Sequence, residues 1–345
     1  MKVRLGDVCD KASSSIIQKS LEKHEGKYPI YGASGLIKYV DFYQREKPYI
    51  AVVKDGAGIG RVMKLPAYSS VIGTMQYIIP NEKVDINYLV YSMEYMNLAK
   101  YFSGATIPHI YFRDYQKEPL NLPEIKVQKK IGGILSNIEK LIAFRNQELS
   151  KFDQLVKSRF IELFGDPVSN DKFWNLAILQ DVTSEIGSGA TPKGGKSSYQ
   201  KEGIPFIRSM NVHDGVFLSK DLAYLSDKQA KQLENVIVKE NDVLLNITGA
   251  SVARSCIVPK TVIPARVNQH VSIIRCIPKY LNPEFLNKLF LHHRYKNLLL
   301  SLGEAGGATR QAITKSQLEK LQIILPPLTL QNEFADFVQQ VDKSK

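Results

Sequence analysis

Cysteine is scarce in this chain of 345 residues. Cys9, Cys256 and Cys276 are odd in number and scattered, with no metal-ligand spacing, so a reduced cytoplasmic setting is the simplest reading. Long apolar runs are missing as well. Stretches such as Val52-Val53 and Ile323-Ile324-Leu325 are far too short to span a bilayer, and Met1-Lys2-Val3-Arg4 does not begin an apolar signal segment. No Lys/Arg run exceeds two residues, which excludes a disordered basic arm.

Catalytic and cofactor motifs fail on spacing. Gly189-Ala-Thr-Pro-Lys-Gly-Gly-Lys-Ser197 looks like a phosphate loop, but Ala190 stands where the first glycine is needed, five before Gly195. Gly56-Ala-Gly-Ile-Gly60 lacks the third glycine at dinucleotide spacing. Leu325-Pro-Pro-Leu328 lacks the polar and aromatic ends of the amino-methyltransferase motif, without which an exocyclic amine cannot be oriented. His109, His270 and the pair His292-His293 lack metal-site spacings. We expect no catalytic residue, metal or cofactor, and therefore no enzyme in the chain by itself.

What the chain does have is positive charge and internal repetition. The net charge is +12, at 44% apolar content and a mean hydropathy of −0.18. Residues 1–123 contribute +4 and residues 166–326 contribute +6, which suits two separate contacts with a polyanion or simply a soluble basic protein.

Gly104-Ala105-Thr106, Ile110, Leu122-Pro123 and Gln128 recur as Gly307-Ala308-Thr309, Ile313, Leu325-Pro326 and Gln331, all 203 positions later. Upstream, Leu5-Gly-Asp-Val8 matches Leu179-Gln-Asp-Val182 at an offset of 174, and Tyr28-Pro-Ile30 matches Ile204-Pro-Phe206 at 176. Gly56 matches Gly249 and Gln76 matches Gln269, both at 193. Offsets that only grow along the chain imply loop insertions in the second copy of a whole domain, not a solenoid unit.

Between the copies a four-then-three spacing runs through Ile131, Leu135, Ile138, Ile142, Arg145, Leu149, Phe152, Val156, Arg159 and Leu163. It predicts a coiled-coil helix across 124–165, stopped by Gly165 and Pro167. About 38 helical residues make a rod on the order of 57 Å. Arg145 and Arg159 either set register or snorkel to solvent. Phe334, Val338 and Val341 begin the same seam in 327–345, where the 203 offset projects an end near 366; we therefore expect a shortened second helix. Tyr49–Val53 and Val243–Ile247 read as strands, and Asn87–Phe102 and Pro283–Leu302 as helices. The fold class is α+β, with two mixed domains (1–123 and 166–326) separated by the long helix.

This order of domain, long helix, Phe164-Gly-Asp-Pro167, second domain and second helix resembles the specificity subunit of type I restriction–modification enzymes. Gly187-Ser-Gly-Ala-Thr-Pro192, Gly203-Ile-Pro-Phe-Ile-Arg208 and Asn246-Ile-Thr-Gly-Ala-Ser251 are similar to the family pattern over essentially the whole chain. The resemblance implies target-recognition domains that each read half of a split site in double-stranded DNA. It also implies antiparallel spacer helices and assembly with DNA methyltransferase and restriction-translocase subunits. The shortened second helix departs from that pattern. Open alternatives are a protein-interaction scaffold built on the coiled coil, or the specificity half of a type IIG-like modification enzyme.

Candidate DNA contacts lie in glycine-flanked loops, where backbone can approach phosphate and side chains can reach base edges. In the first copy they are Lys54, Arg61, Thr106, His109 and Arg113. In the second they are Thr191, Lys193, Arg208, Asn246, Thr248, Arg254 and Arg310. Tyr28, Tyr31, Tyr39 and Tyr111 either stack on bases or fill cores. The repeated pair Gln76 and Gln269 is expected to share a structural job.

Overall fold

The computed structural model describes residues 1–104, 108–304 and 311–345. The chain separates into two compact units, Met1–Asn146 and Gln147–Lys345, and the division falls inside one long helix.

Unit one runs β1 (Lys2–Arg4), β2 (Cys9–Ser13), β3 (Tyr28–Gly32), β4 (Gly35–Val40), β5 (Tyr49–Val53), β6 (Val62–Leu65), β7 (Ser70–Val71) and β8 (Met75–Pro80). Then come α1 (Ile86–Tyr95), α2 (Phe112–Tyr115), β9 (Pro119–Asn121) and the long α3 (Ile125–Phe164). Unit two continues with β10 (Leu176–Ile178), β11 (Thr183–Ser188), β12 (Ile204–Ile207), β13 (Val212–His213), β14 (Val216–Phe217), β15 (Ala223–Leu225), α4 (Asp227–Lys231) and β16 (Ile237–Val238). It ends with β17 (Val243–Asn246), β18 (Ser255–Ile257), β19 (Ala265–Val267), β20 (Val271–Cys276), α5 (Pro283–Leu291), α6 (His293–Glu304), α7 (Lys315–Glu319), β21 (Gln322–Ile324) and α8 (Leu328–Ser344).

The sheets repeat. Order β2-β8-β5-β6 in unit one is matched by β11-β20-β17-β18 in unit two, antiparallel throughout. A second sheet, β4-β3-β7, is matched by β15-β12-β19, and the parallel pair is conserved: Ile30 faces Ser70 as Phe206 faces Arg266. The continuous apolar run Tyr49–Val53 is buried at every position, as a central strand covered on both faces requires.

Strand register corrects one sequence match. Val53 pairs with Met75 as Asn246 pairs with Val271, so the offset rises from 193 on the first strand to 196 on the second. Gln76 therefore corresponds to Ser272, not to Gln269. Three extra residues between Arg254 and Val267 displace the ungapped alignment.

The 203-offset signature acquires a physical reason. Gln128, in the first turn of α3, is buried; its Nε2 donates to the carbonyls of Pro123 at 2.8 Å and Lys83 at 3.1 Å, and its Oε1 accepts from Asp85 N at 2.9 Å. Gln331, in the first turn of α8, is buried; its Nε2 donates to the carbonyls of Pro326 at 2.8 Å and Tyr280 at 3.1 Å, and its Oε1 accepts from Asn282 N at 2.9 Å. Asp85 and Asn282 cap α1 and α5 through their side chains. One amide thus joins the start of each terminal helix to the start of the domain helix beside it.

The apolar seam of α3 is covered at one end and open in the middle. Val156, Phe160 and Phe164 are buried, with Phe152 and Leu163 packed against the same core. Phe160 lies 5.5 Å from Phe334 and 5.9 Å from Phe285, ring centre to ring centre. Leu135, Ile138 and Ile142 are exposed, Ile131 and Leu149 half-buried. Phe334, Val338 and Val341 of α8 are all buried. Within unit two, α8 runs antiparallel to the end of α3: Arg159 bonds Glu333 at 2.7 Å, and Asp153 pairs with Lys345 at 2.8 Å. Arg159 reaches outward to Glu333 and Glu162, so it snorkels. The predicted helix 283–302 is two helices broken at His292, and 87–102 ends as an α-helix at Tyr95.

Candidate nucleic-acid interface

In unit one the loop from Lys54 to Arg61 joins β5 to β6. It is closed by Val53 N to Arg61 O at 3.0 Å and Gly60 N to Val53 O at 2.8 Å. It is tied to the segment before α2 by Gly56 N to Pro108 O and Ile110 N to Lys54 O, each 2.9 Å. In unit two the loop from Ile247 to Arg254 joins β17 to β18 with the same bonds. They are Asn246 N to Arg254 O at 2.8 Å, Ala253 N to Asn246 O at 2.9 Å, Gly249 N to Gln311 O at 2.9 Å and Ile313 N to Ile247 O at 2.8 Å. Gly56 and Gly249 take φ of +79° and +74° at matched positions, and a Cβ on either would meet nothing within 4 Å among the described residues. Both positions thus take a backbone conformation that glycine adopts at no steric cost.

On these matched frames the side chains differ. In unit one, the Asp55 carboxylate is shared by Lys54 Nζ at 2.6 Å and by His109 Nδ1. The His109 ring is 4.2 Å from Tyr111, and the Arg113 guanidinium lies 4.6 Å over that same ring. Arg61 is exposed and donates from Nη1 to the Ala33 carbonyl at 2.7 Å. Lys54, His109, Tyr111 and Arg113 thus belong to one cluster with Asp55, which sequence reasoning missed, while Arg61 sits on the same loop. Thr106 lies outside the described residues.

In unit two, the position of Asp55 is taken by Thr248 and that of His109 by Ala312. Thr248 Oγ1 contacts His270 Nδ1, His270 Nε2 contacts Gln269 Nε2 at 3.2 Å, and Gln269 Oε1 accepts from Thr191 Oγ1. Gly189 makes this chain possible. Its N donates to Asn268 O at 3.2 Å, and a Cβ there would sit 1.7 Å from Val267 O. Gly189 thus supplies close backbone approach.

The remaining candidates divide. Lys193 is exposed and Arg254 half-buried. Arg208 donates to Asp221 O and lies 5.6 Å from the Tyr199 ring centre. Asn246 is a correction: fully buried, it gives Nδ2 to the carbonyls of Ser209 at 2.9 Å and Val212 at 3.3 Å, so no base edge can reach it. Arg310 lies outside the described residues. Of the tyrosines, Tyr39 and Tyr111 are exposed, while Tyr28 and Tyr31 are half-buried.

Burial pushes the thiols of Cys9, Cys256 and Cys276 up to about 12, which leaves them un-ionised and unreactive at neutral pH. Among the described residues no helix is long and apolar enough to cross a membrane, and no cluster of three metal-ligating side chains occurs.

Comparison with known proteins agrees with this duplicated layout. The family described as "Type I restriction modification DNA specificity domain" matches residues 1–152 and 173–345. The Type I restriction enzyme MjaVIII specificity subunit of Methanocaldococcus jannaschii is 23% identical, with 99% of this chain and 85% of that protein covered. A putative type I restriction enzyme specificity subunit of Haemophilus influenzae is also 23% identical, covering 94% and 82%. The crystal structure of the type I restriction–modification S subunit from M. genitalium superimposes with a TM-score of 0.72 at 13% identity, covering 100% of this chain and 89% of that one.

Proposed function

The chain belongs to the type I restriction–modification DNA specificity family, and from that premise we propose that it is the non-catalytic subunit that selects the DNA target. Domains 1–123 and 166–326 each read one half of a bipartite site in double-stranded DNA. Helices 124–165 and 327–345 space the readers and dock DNA methyltransferase subunits, with restriction-translocase subunits joining the complex in the cytoplasm. The observation that carries this reading is the pair of matched loops, alike in backbone and different in side chains. That is what two readers of different half-sites require, and each domain carries an excess of positive charge.

The docking role draws support from Ile134, Leu135, Ile138, Leu141 and Ile142, which together expose an apolar face on α3. The spacer role draws support from helix length. A helix of 40 residues spans roughly 60 Å, which bounds the separation of two readers at about 17 base pairs.

The test is a salt titration of binding to duplex DNA by the full chain assembled with its methyltransferase subunits. Several phosphate contacts give a log–log slope of about −0.9 per contact. A slope near zero rejects DNA reading. Adding two heptads to α3 should lengthen the preferred gap between half-sites, and an unchanged gap rejects the spacer role.

A further inference from the structure

We infer that Gln269 is a specificity-determining residue of the second domain and that it reads an adenine, an inference that rests on the DNA-reading function proposed above. Its side chain is exposed, and both ends of the amide are already held from within the protein. Oε1 accepts from Thr191 Oγ1, and Nε2 lies 3.2 Å from His270 Nε2.

An amide has two N–H donors and two acceptor lone pairs. One of each is used inward, so one N–H and one lone pair remain on the outer edge. That edge is the complement of adenine in the major groove, whose N7 accepts and whose N6 donates. The inner contacts also set tautomer and orientation. With Gln269 donating to His270 Nε2, the imidazole proton sits on Nδ1 and is directed at Thr248 Oγ1. Thr191, His270 and Thr248 are thus positioning residues that hold a flexible amide in one pose before DNA arrives.

Register gives the matched position in the first domain. Val271 N bonds Asn268 O as Met75 N bonds Ile72 O, which places Gly73 where the second domain has Gln269. A residue that serves the common fold should recur in both copies. This one is absent from the first, on a frame whose backbone bonds otherwise agree, as a reader of only one half-site should be.

The experiment selects duplexes from a randomised DNA pool with the full chain in complex with its methyltransferase subunits. Gln269→Ala should lower discrimination at one adenine position of one half-site roughly ten- to hundredfold, leaving the other half-site unchanged. Gln269→Glu turns the outer edge into acceptors only, so preference at that position should move toward cytosine, whose N4 donates. Thr191→Val should weaken the same position less than Gln269→Ala does, and Thr191→Ser should restore it. A motif unchanged in Gln269→Ala, or a loss spread evenly over both halves, overturns the inference and leaves the proposed function standing. A parent complex that selects no motif overturns both.

Discussion

The two buried glutamines and the two loop clusters sit at matched places in the two copies, yet they behave in opposite ways. Gln128 and Gln331 each make three bonds, and the paired distances agree to the tenth of an ångström. The loops share four backbone bonds and a closing arginine, but their polar clusters differ: a carboxylate between lysine and histidine in one, a hydroxyl–imidazole–amide chain in the other. A repeat therefore sorts its own residues. What recurs in full holds the frame, and what varies on the frame is free to recognise different partners.

The long helix offers a second comparison, and the largest expected effect. Phe160 is buried among Phe164, Phe285 and Phe334, whereas Leu141, on the same helix, is exposed. Phe160→Ala should cost about 3–5 kcal/mol in denaturant unfolding, since it deletes an aromatic from a close-packed core. Leu141→Ala should change stability by less than about 0.5 kcal/mol while weakening assembly with the methyltransferase subunits. Equal losses in stability would erase the distinction between a packed end and an open middle.

The glutamine locks come next in size. Truncating Gln128 or Gln331 to Ala removes the partner of two carbonyls and one capping-residue N–H, most of them part-buried. At roughly 1–3 kcal/mol for each group left buried and unsatisfied, offset by partial relaxation, a loss of about 2–3 kcal/mol is expected at either site. Equal distances predict equal costs, so thermal unfolding of the two variants should report similar destabilisation, each confined to its own unit. A loss at one site and none at the other would show that matched geometry does not mean matched energy.

These contrasts show which parts of the chain were legible in its order of residues. The duplication, the long helix and the strand Tyr49–Val53 could be read because each is written as a local pattern: fixed offsets, apolar spacing, a β-branched run. The seam was only partly legible. A strict heptad passes through Arg159 and Leu163, but the buried row is Val156, Phe160 and Phe164, four apart. A helix pressed on a globular core buries a broader stripe than the a/d seam of a supercoil, so residues beside the heptad line are covered too.

The site was least legible. Asn246 ends a strand just before a glycine loop, as a reader would, but carbonyls more than thirty residues earlier fold over it. Gln269 was misread because three inserted residues shift the alignment, so a variable position looked like a repeated one. The local signal that survives is the run Gln269-His270 at the entry to a strand, opposite a glycine, Gly189, that admits no side chain.

The smallest expected effect tests the sorting rule at its weakest point, in a residue that recurs on the very loop that varies. Arg61 and Arg254 close the two loops through equivalent backbone bonds and are the same residue type. By the rule they should do what both half-sites share, and the shared feature of any duplex is its phosphate backbone. Arg61→Ala or Arg254→Ala should then weaken binding evenly across sequences and reduce the magnitude of the salt slope by about one, with the selected motif unchanged. The Arg61 guanidinium already gives Nη1 to Ala33 O, so it is held at the loop mouth and keeps other donors for an anion. A change of motif in Arg61→Ala would make a recurring residue a reader, and the division between frame and reading face would have to be drawn residue by residue.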